Sequence, residues 1–370
     1  MNNAGSGSPR PNPADAVISA LADWVEGGDD APWIVETSGS SGRPKRVMLS
    51  RGAVRASVEL SARRLGATGR WLLALPASYV AGVNVITRSL AAGAAPLLLD
   101  DFPSFAEATE ALASAPGPLF VSLVPTQLTR LLASEPEALG AYHTVLLGGG
   151  PIDPALRAAA AAAGVHLVAT YGSAETCGGV VYDGVPFDGV GLALGADGRV
   201  RLSGPTLFSG YEGDPELTAE LLVDGWFWTS DAGRLDEDGR LQLLGRIDDM
   251  VVTGGVNVPA AVVARRLREH PRVLGAEALG VPDPEWGNRL VAVVSWAPAA
   301  PDAVAEVPGP APGLAELRDW VAAVHPRSWA PREVVAVDEI PMLPNGKTDR
   351  LALRRIVGEQ IVGDRIVGEQ

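Results

Sequence analysis

The sequence predicts an α/β fold: a large N-terminal α/β domain with a small antiparallel β subdomain, followed by a smaller C-terminal α+β domain. The chain has 370 residues, more than a single hydrophobic core usually serves, so two domains are expected. Short apolar runs alternate with Ala- and Leu-rich segments over the first two thirds, which is typical of parallel strands covered by helices. After Gly189, turn sequences separate short strands, which indicates antiparallel structure.

The first part of the chain contains strands that we expect to be buried on both faces, because their apolar residues do not alternate with polar ones. These strands are predicted at residues 71–75, 96–99, 119–124, 144–147 and 165–169. Between them, a helix is predicted over residues 126–132. A second one is predicted over 154–163, with Asp153 as its N-cap, Pro154 at its first position and Gly164 after its end.

The second part of the chain has a different pattern. Short strands are predicted at 200–202, 227–229, 241–244, 276–281 and 290–296, helices at 259–270 and 313–323, and a surface loop at 297–312. The domain prediction is therefore a flexible segment at 1–30, the large domain at 31–246, the small domain at 247–355 and a repetitive tail at 356–370. Two copies of Arg-Ile-Val-Gly-Glu-Gln are too few for a solenoid, so a frayed end is expected there.

Composition excludes several classes of protein. The net charge of −14 argues against a general nucleic-acid binder and favours a soluble cytoplasmic protein. Cys177 is the only cysteine, which excludes an intramolecular disulfide, and we interpret it as a packing residue. No signal peptide is predicted at the start of the chain. The uncharged stretch 71–87 contains several polar residues, so it is expected to be a buried strand and helix and not a membrane span.

The segment 37–45 reads Thr-Ser-Gly-Ser-Ser-Gly-Arg-Pro-Lys and combines what a polyphosphate requires of a loop. Glycines let backbone N–H groups approach, hydroxyls bond phosphate oxygens, and a lysine supplies a compact positive charge. The spacing differs from the Walker A pattern, so a P-loop kinase or GTPase fits poorly. A flexible Ser/Gly linker is the alternative. The candidate phosphate-binding residues are Thr37, Ser38, Gly39, Ser40, Ser41, Gly42 and Lys45.

Two further segments follow predicted strands. Gly148, Gly149 and Gly150 allow the backbone to approach a flat or charged ligand, although they do not complete a dinucleotide fingerprint. Residues 171–175, Tyr-Gly-Ser-Ala-Glu, place an aromatic ring and a carboxylate where α/β sheets bind ligands. A core aromatic is the alternative for Tyr171.

Four charged residues in the later part of the chain have candidate roles. The carboxylate of Asp231 is suited to a ribose diol, with a turn cap as the alternative. Arg246 is suited to a phosphate or ribose and Asp248 to a hinge, with a surface ion pair as the alternative. Lys347 lies on a glycine turn, where a lysine is ordinarily just solvated.

Together and in this order, these segments resemble the adenylate-forming superfamily over nearly the whole chain. The resemblance implies that 37–45 is the phosphate loop, 171–175 the adenine and magnesium motif, 229–231 the ribose motif, 245–248 the hinge motif and 344–347 the catalytic-lysine loop. Such enzymes use ATP to convert a carboxylate to an acyl-adenylate and release pyrophosphate. The small, mobile domain then rotates, and a thiol captures the adenylate.

The resemblance also implies roles for individual residues. Catalysis is expected from Thr37, Glu175 and Lys347, with Glu175 holding Mg²⁺ and Asp248 as the hinge. Contacts to ATP or AMP are expected from the phosphate loop and from Gly148, Gly149, Gly150, Tyr171, Gly172, Ser173, Asp231 and Arg246. Gly254 and Gly255 are expected to line the path of CoA.

Within the superfamily, the chain is most similar to the o-succinylbenzoate–CoA ligase family of menaquinone biosynthesis, in its short actinobacterial form. The similarity lies in residues 75–82 with Arg88, and in 122–128, 146–150 and 171–179. It implies ATP, Mg²⁺ and CoA as cofactors and co-substrate, and a carboxylate pocket containing Tyr79, Asn84, Arg88 and Thr126. Arg88 is expected to bind the second carboxylate of the substrate. A helix-surface arginine in a structural ion pair is the alternative.

Three features depart from the family pattern. The phosphate loop begins at residue 37, so most of the N-terminal lobe of full-length members is expected to be absent. Tyr79 stands where many relatives have a histidine, and Ala174 replaces a hydroxyl residue.

Two other functions remain open. One is another acyl- or aryl-CoA ligase or a carrier-loading adenylation enzyme. The other is a non-catalytic nucleotide-binding module, which the presence of Glu175, Asp231, Arg246 and Lys347 argues against. The expected partners are a small carboxylate, ATP and CoA, without nucleic acid or membrane insertion, and a homodimer is left open.

Overall fold

The computed structural model describes residues 12–28, 30–37, 44–296, 312–342 and 348–367, with side chains to residue 360. The described residues pack into two compact units. The first extends to Ala193 and includes Arg201–Thr229 and Asp236–Leu241. The second comprises Leu194–Val200, Ser230–Leu235 and the chain from Gln242 onward.

The described residues form twenty strands and eleven α-helices. The strands are β1 Trp33–Thr37, β2 Lys45–Leu49, β3 Arg70–Leu73, β4 Leu97–Leu98, β5 Leu119–Leu123, β6 Thr144–Leu147, β7 Leu167–Ser173, β8 Gly178–Tyr182, β9 Val185–Pro186, β10 Gly191–Leu194, β11 Arg199–Ser203, β12 Gly210–Tyr211, β13 Leu222–Val223, β14 Trp226–Leu235, β15 Leu241–Arg246, β16 Met250–Thr253, β17 Val256–Pro259, β18 Val273–Asp283, β19 Gly287–Trp296 and β20 Glu333–Val337. The helices are α1 Pro13–Glu26, α2 Arg51–Leu65, α3 Val80–Ala91, α4 Phe105–Ala113, α5 Pro125–Ser134, α6 Pro136–Gly140, α7 Pro154–Ala162, α8 Pro215–Leu221, α9 Ala260–Arg268, α10 Leu314–Ala322 and α11 Arg350–Val367.

The main sheet of the first unit has seven strands in the order β4-β3-β5-β6-β7-β8-β9. Strands β3 to β7 pair in parallel, whereas β8 pairs antiparallel with both β7 and β9. Every residue of β5 and β6 is buried, as expected for strands covered on both faces. The predicted α/β fold is therefore confirmed.

Helices cover the two faces of this sheet. On one face, Leu72 and Val121 belong to a core that includes Phe105 of α4 and Leu128 of α5. On the other face, the rings of Trp71 and Phe120 stack with centroids 4.9 Å apart, on the side where α3 packs against β3. Residues one apart in a strand point to opposite faces, which is why neighbouring residues of β3 and β5 serve different cores.

A separate three-stranded sheet in the first unit has the order β1-β2-β12 and is antiparallel throughout. Helix α2 follows β2 in the chain. It begins at the N-cap Ser50, whose hydroxyl accepts a hydrogen bond from the amide of Ala53 at 3.1 Å. That helix ends at Gly66, whose φ of 70° lies in the left-handed region that favours glycine.

The second unit has its own core between a three-stranded sheet and helices. The sheet order is β18-β19-β20, with β18 antiparallel and β20 parallel to β19. Val263 and Leu267 of α9 and Leu317 of α10 are completely buried in one core with alternate residues of β18 and β19. Leu353 and Val357 of α11 pack in a second core with residues of β19 and β20.

A five-stranded sheet has the order β10-β11-β14-β13, with β15 beside β14. It provides the antiparallel strands that are predicted after Gly189. The strand expected at 227–229 is longer than predicted, because β14 continues to Leu235. Asp231 therefore lies within a strand, and its alternative interpretation as a turn cap is wrong.

The two chain ends differ from expectation. The flexible segment expected over 1–30 is wrong for residues 13–26, because Asn12 caps α1 by accepting a hydrogen bond from the amide of Ala14 at 3.1 Å, and Leu21 is fully buried. The frayed end expected over 356–370 is wrong as far as Val367, because α11 continues through the repeat.

Residues 297–311 of the predicted surface loop lie outside the described residues. Within the described part of the chain, no helix has the length and apolar character needed to cross a bilayer.

Candidate functional site

The ends of the candidate phosphate loop are held by a β-hairpin. Thr37 and Lys45 are directly opposite each other in the antiparallel pairing of β1 and β2. Opposed residues in such a pair project their side chains to the same face, so the hydroxyl and the ammonium lie on one side of the hairpin. Ser38, Gly39, Ser40, Ser41 and Gly42 lie outside the described residues.

Tyr211 joins this face through β12. It is opposite Val47 in the pairing with β2, and Val47 lies two residues after Lys45, on the same face. The Lys45 ammonium lies 5.3 Å from the centroid of the Tyr211 ring, within the range of a cation–π contact. Nothing in the sequence around Tyr211 indicates this role. No motif signals it, because only the pairing of distant strands brings it to Lys45.

Tyr211 also connects the lysine to the glutamate of the 171–175 motif. Its hydroxyl donates to Glu175 Oε1 at 2.8 Å, and Glu175 is 9% exposed. Burial, followed by the charge of Glu175, raises the pKa of Tyr211 far above its usual value, so the hydroxyl keeps the proton that it donates. Thr37, Lys45, Tyr211 and Glu175 therefore form one polar cluster within the first unit.

Glu175 lies in a short 3₁₀ turn, Ala174–Thr176, between β7 and β8. The Thr176 hydroxyl donates to the Gly178 carbonyl at 2.7 Å and accepts from the Ser173 amide at 2.9 Å, which closes the turn. Ser173 Oγ is buried and has no hydrogen-bond partner among the described residues. A buried hydroxyl without a partner is costly, which is consistent with a ligand contact at this position.

The strand that carries Tyr171 and Gly172 is longer than predicted. The strand expected at 165–169 extends as β7 to Ser173, because residues 170–173 pair antiparallel with β8 after the parallel pairing with β6 ends. Gly172 lies so close to Gly178 that a Cβ atom would clash with the carbonyl group of Gly178. A glycine is therefore required for the two strands to meet.

Cys177 follows the turn and is fully buried. Burial raises the pKa of its thiol to about 12, so the thiolate required of a nucleophile is disfavoured. This supports the interpretation of Cys177 as a packing residue.

The glycine segment after β6 also approaches another strand closely. The amide of Gly148 donates to the Leu123 carbonyl at 3.2 Å, and a Cβ at Gly148 would clash with the hydroxyl of Thr170. Gly149 has a φ of 78°, which favours glycine. The last glycine, Gly150, has room for a Cβ, with Pro125 as its nearest neighbour at 3.7 Å.

Arg88 lies on α3 and is 8% exposed. Its Nη2 donates to the Tyr182 hydroxyl at 3.2 Å, and its guanidinium carbon lies 5.4 Å from the centroid of the Trp71 ring. Among the described residues it has no ion pair, and its buried Nε has no hydrogen-bond partner. The alternative of a helix-surface arginine in an ion pair therefore does not describe its environment.

The other residues expected in the carboxylate pocket differ from one another. Tyr79 precedes α3 and is 47% exposed. The amide of Asn84 donates to the Cys177 carbonyl at 2.9 Å and accepts from the Ser57 hydroxyl at 3.1 Å, so the geometry gives Asn84 a role in holding the turn after Glu175. Thr126 lies in the first turn of α5 and is half-buried.

The second unit contains the remaining candidates. Asp231 is on β14, and Arg246 forms an exposed ion pair with Asp248 at 3.4 Å. Gly254 and Gly255, with φ of 56° and 78°, form the two-residue turn between β16 and β17. A Cβ at Gly254 would meet the Trp286 ring.

Lys347 lies outside the described residues, but the chain is held on both sides of its segment. Met342 and Thr348 form a β-bridge, and the amide of Asp349 donates to the Pro341 carbonyl at 2.8 Å. The Thr348 hydroxyl donates to Glu277 Oε1 at 2.9 Å, and burial raises the pKa of Glu277.

Comparisons with known proteins match both parts of the chain. Residues 22–205 match the AMP-binding enzyme family, and residues 263–347 match the AMP-binding enzyme C-terminal domain. The chain is 39% identical to the probable 2-succinylbenzoate–CoA ligase of Mycobacterium tuberculosis, over 94% of this chain and 91% of that protein. It is 32% identical to a feruloyl-CoA synthase of Amycolatopsis, over 93% of this chain and 73% of that protein.

The fold also matches solved structures. o-Succinylbenzoate CoA synthetase of Bacillus subtilis, in complex with the acyl-adenylate intermediate OSB-AMP, has a TM-score of 0.74 and 26% identity, over 86% of this chain and 68% of that one. The same synthetase in complex with ATP and a magnesium ion also has a TM-score of 0.74, over 87% of this chain and 69% of that one.

The close approach of Gly172 to Gly178 leads to a testable prediction. Gly172→Ala should lower the thermal unfolding midpoint and weaken nucleotide binding, because the new methyl group would push β7 from β8 and shift the turn that holds Glu175. Differential scanning fluorimetry with and without ATP measures both effects. The control is Gly140→Ala, where an added Cβ would meet no atom within 4 Å apart from the neighbouring backbone of its own helix. Equal midpoints for the two variants would contradict the prediction.

Proposed function

The chain belongs to the AMP-binding enzyme family, and on that basis we propose that it is an ATP-dependent acid–thiol ligase for o-succinylbenzoate and CoA. The reaction forms o-succinylbenzoyl-CoA through an acyl-adenylate and releases AMP and pyrophosphate, as a step of menaquinone biosynthesis. The similarity to a probable 2-succinylbenzoate–CoA ligase over 94% of the chain supports this reaction.

Within the structure, the observation that supports the acyl substrate is the environment of Arg88. A buried guanidinium without a carboxylate partner is costly, so an anion that fills this place on binding is strongly favoured. o-Succinylbenzoate carries two carboxylates. One reacts with ATP, and we assign the other to Arg88, whose planar guanidinium suits a carboxylate.

The cluster of Lys45, Tyr211 and Glu175 is suited to the phosphates of ATP. We assign Lys45, with Thr37 and the loop that follows it, to the β- and γ-phosphates, and Ser173 Oγ to a further ligand oxygen. Gly148, Gly149 and Gly150 with Tyr171 and Gly172 are assigned to the adenine and its ribose phosphate, and Asp231 and Arg246 to the ribose.

Glu175 is suited to magnesium. Tyr211 donates to Oε1 of its carboxylate, and we assign Oε2 to the ion. The described residues contain no group of three or more His, Cys, Asp or Glu side chains placed to hold a metal. Magnesium that accompanies a nucleotide usually takes one or two carboxylates and completes its shell with phosphates and water, so a single glutamate fits. When bound, the ion neutralises charge on the phosphate oxygens.

Adenylation requires in-line attack of the substrate carboxylate on the α-phosphorus of ATP. Negative charge increases on the phosphoryl oxygens and on the leaving pyrophosphate, so fixed cations supply most of the catalysis. The chain has only two lysines, Lys45 and Lys347, while its other basic side chains are arginines or histidines. An ammonium is a compact point charge that can follow a moving phosphate, and we assign Lys347 to the oxygens that carry charge in adenylation.

Thioester formation requires a second arrangement of the same site. We propose that the small domain, residues 247–355, rotates about Asp248 after pyrophosphate leaves. The rotation withdraws Lys347 and brings the turn at Gly254 and Gly255 toward the adenylate, where it lines the path of the CoA thiol. We place the reaction in the cytoplasm, where ATP and CoA are supplied, and homodimer formation stays a prediction.

The proposed reaction is tested by mass spectrometry of the products. Incubation with ATP, Mg²⁺, CoA and o-succinylbenzoate should yield o-succinylbenzoyl-CoA and AMP. A panel of other carboxylates that includes ferulate separates this reaction from that of another acyl- or aryl-CoA ligase. Absence of ATP–pyrophosphate exchange with every carboxylate would instead identify a non-catalytic nucleotide-binding module.

The role of Lys347 predicts that the two half-reactions separate. Lys347→Ala should reduce pyrophosphate release by about 10²–10³-fold, because it removes a charge that stabilises the adenylation transition state. Conversion of supplied o-succinylbenzoyl-adenylate to the CoA ester should stay at the wild-type rate, since Lys347 is then withdrawn. Stopped-flow assays measure each step, and equal loss of both would refute the assignment.

The role of Arg88 predicts a change in the recognition of one substrate. Arg88→Ala should raise the KM for o-succinylbenzoate at least about tenfold, which corresponds to one charge-assisted hydrogen bond of about 1.5–3 kcal/mol. The KM for ATP should hardly change. The control is Arg55→Ala, because Arg55 is an exposed arginine of α2. An unaltered KM for o-succinylbenzoate in Arg88→Ala would refute the role of Arg88 and weaken the substrate assignment.

A further inference from the structure

A buried hydrogen-bond chain ends on the guanidinium of Arg88. Ser61 Oγ and Tyr182 Oη lie 3.0 Å apart, and Arg88 Nη2 donates to the same Tyr182 oxygen at 3.2 Å. Ser61 and Tyr182 are 1% and 3% exposed, so water does not compete for these bonds. The three residues of this hydrogen-bond chain come from separate elements. Ser61 lies on α2, Tyr182 at the end of β8 and Arg88 on α3.

The chemistry of the Tyr182 contact leaves the charge of Arg88 available. A guanidinium can only donate hydrogen bonds, so the Tyr182 hydroxyl is the acceptor. A carboxylate in this place would pair with the charge, whereas a hydroxyl satisfies one N–H group and brings no formal charge. Tyr182 therefore orients the guanidinium without competing with an anionic ligand.

The ring of Tyr182 is itself rigidly held. It packs edge-on against Phe187 with centroids 4.6 Å apart, and its backbone pairs with Thr170 of β7 and Val185 of β9. The Trp71 ring lies beside the guanidinium. An arginine side chain has many rotamers, and fixing one of them before binding removes an entropic cost from binding.

We propose that Tyr182, supported by Ser61, is a positioning residue for substrate recognition. It holds the guanidinium of Arg88 in the orientation that binds the non-reacting carboxylate of o-succinylbenzoate. The inference rests on the proposed function, because it requires that Arg88 bind this carboxylate.

Tyr182→Phe keeps the packed ring and removes only the hydroxyl. The KM for o-succinylbenzoate should rise about threefold to tenfold, as expected for one lost hydrogen bond to a charged group, while kcat and the KM for ATP stay unchanged. Two monocarboxylate analogues, 4-oxo-4-phenylbutanoate and 2-butanoylbenzoate, each lack one carboxylate. The analogue that is still adenylated lacks the group that Arg88 binds, so its KM should not respond to Tyr182→Phe.

The matched control is Tyr142→Phe. Tyr142 is also buried, at 4% exposure, and its hydroxyl lies 2.9 Å from that of Thr109, on the sheet face opposite Trp71. This variant should leave the KM for o-succinylbenzoate unchanged. In an Arg88→Ala background, Tyr182→Phe should add no further increase, because the residue that it positions is gone.

The outcomes separate this inference from the proposed function. An equal rise in KM for o-succinylbenzoate and the analogue, or the same added effect in the Arg88→Ala background, would mean that Tyr182 acts independently of Arg88 and would overturn the inference. An unchanged KM in Tyr182→Phe, with a raised KM in Arg88→Ala, would overturn the inference alone. An unchanged KM in Arg88→Ala would refute the proposed function as well. Should Tyr182→Phe fail to fold, Ser61→Ala is the second variant and should show a smaller rise with the same substrate dependence.

Discussion

The close backbone approach between β7 and β8 is the constraint on which two parts of the candidate site depend: the cluster around Glu175 and the surroundings of Arg88. Parallel pairing in the main sheet ends at Ala169, and the strand then continues in antiparallel pairing with β8, which only a glycine at position 172 permits. The turn between these two strands carries Glu175, and the far end of β8 carries Tyr182. One hairpin therefore positions a carboxylate at one end and the partner of a buried arginine at the other.

The first unit holds two buried charges of opposite sign in the same manner. The Tyr211 hydroxyl donates to Glu175, and the Tyr182 hydroxyl accepts from Arg88. In each pair, a neutral group satisfies part of the hydrogen-bonding capacity of the charged side chain, and neither charge forms an ion pair among the described residues. Buried charges without counter-ions lower stability, and they are retained where a ligand supplies the opposite charge. The arrangement suits a substrate that brings both a metal-bound phosphate and a second carboxylate.

Local sequence patterns predicted most of the secondary structure, because helix ends and buried strands depend on the conformational preferences and polarity of neighbouring residues. Pro154 and Gly164 mark the two ends of α7. The mostly apolar run over 119–124, which contains only Ser122 as a polar residue, predicts β5, and every residue of β5 is buried. The prediction of secondary structure fails where packing against residues distant in the sequence determines the conformation. Residues 13–26 form a helix whose Leu21 is completely buried, and β7 passes the end of its apolar run because β8 lies beside it.

The sequence by itself determined the family, the order of the motifs and the identity of the charged groups, because each of these depends on residues that are close together in the chain. It did not identify Tyr211 or Tyr182. A single tyrosine outside any motif looks the same in the sequence whether its ring fills a core or its hydroxyl orients a charged side chain. The tertiary structure alone decided that Tyr211 meets Lys45 and Glu175, and that Arg88 is buried without a carboxylate partner among the described residues. The physical reason is that hydrogen bonds and burial depend on distance in space, and strand pairing brings together residues that are far apart in sequence.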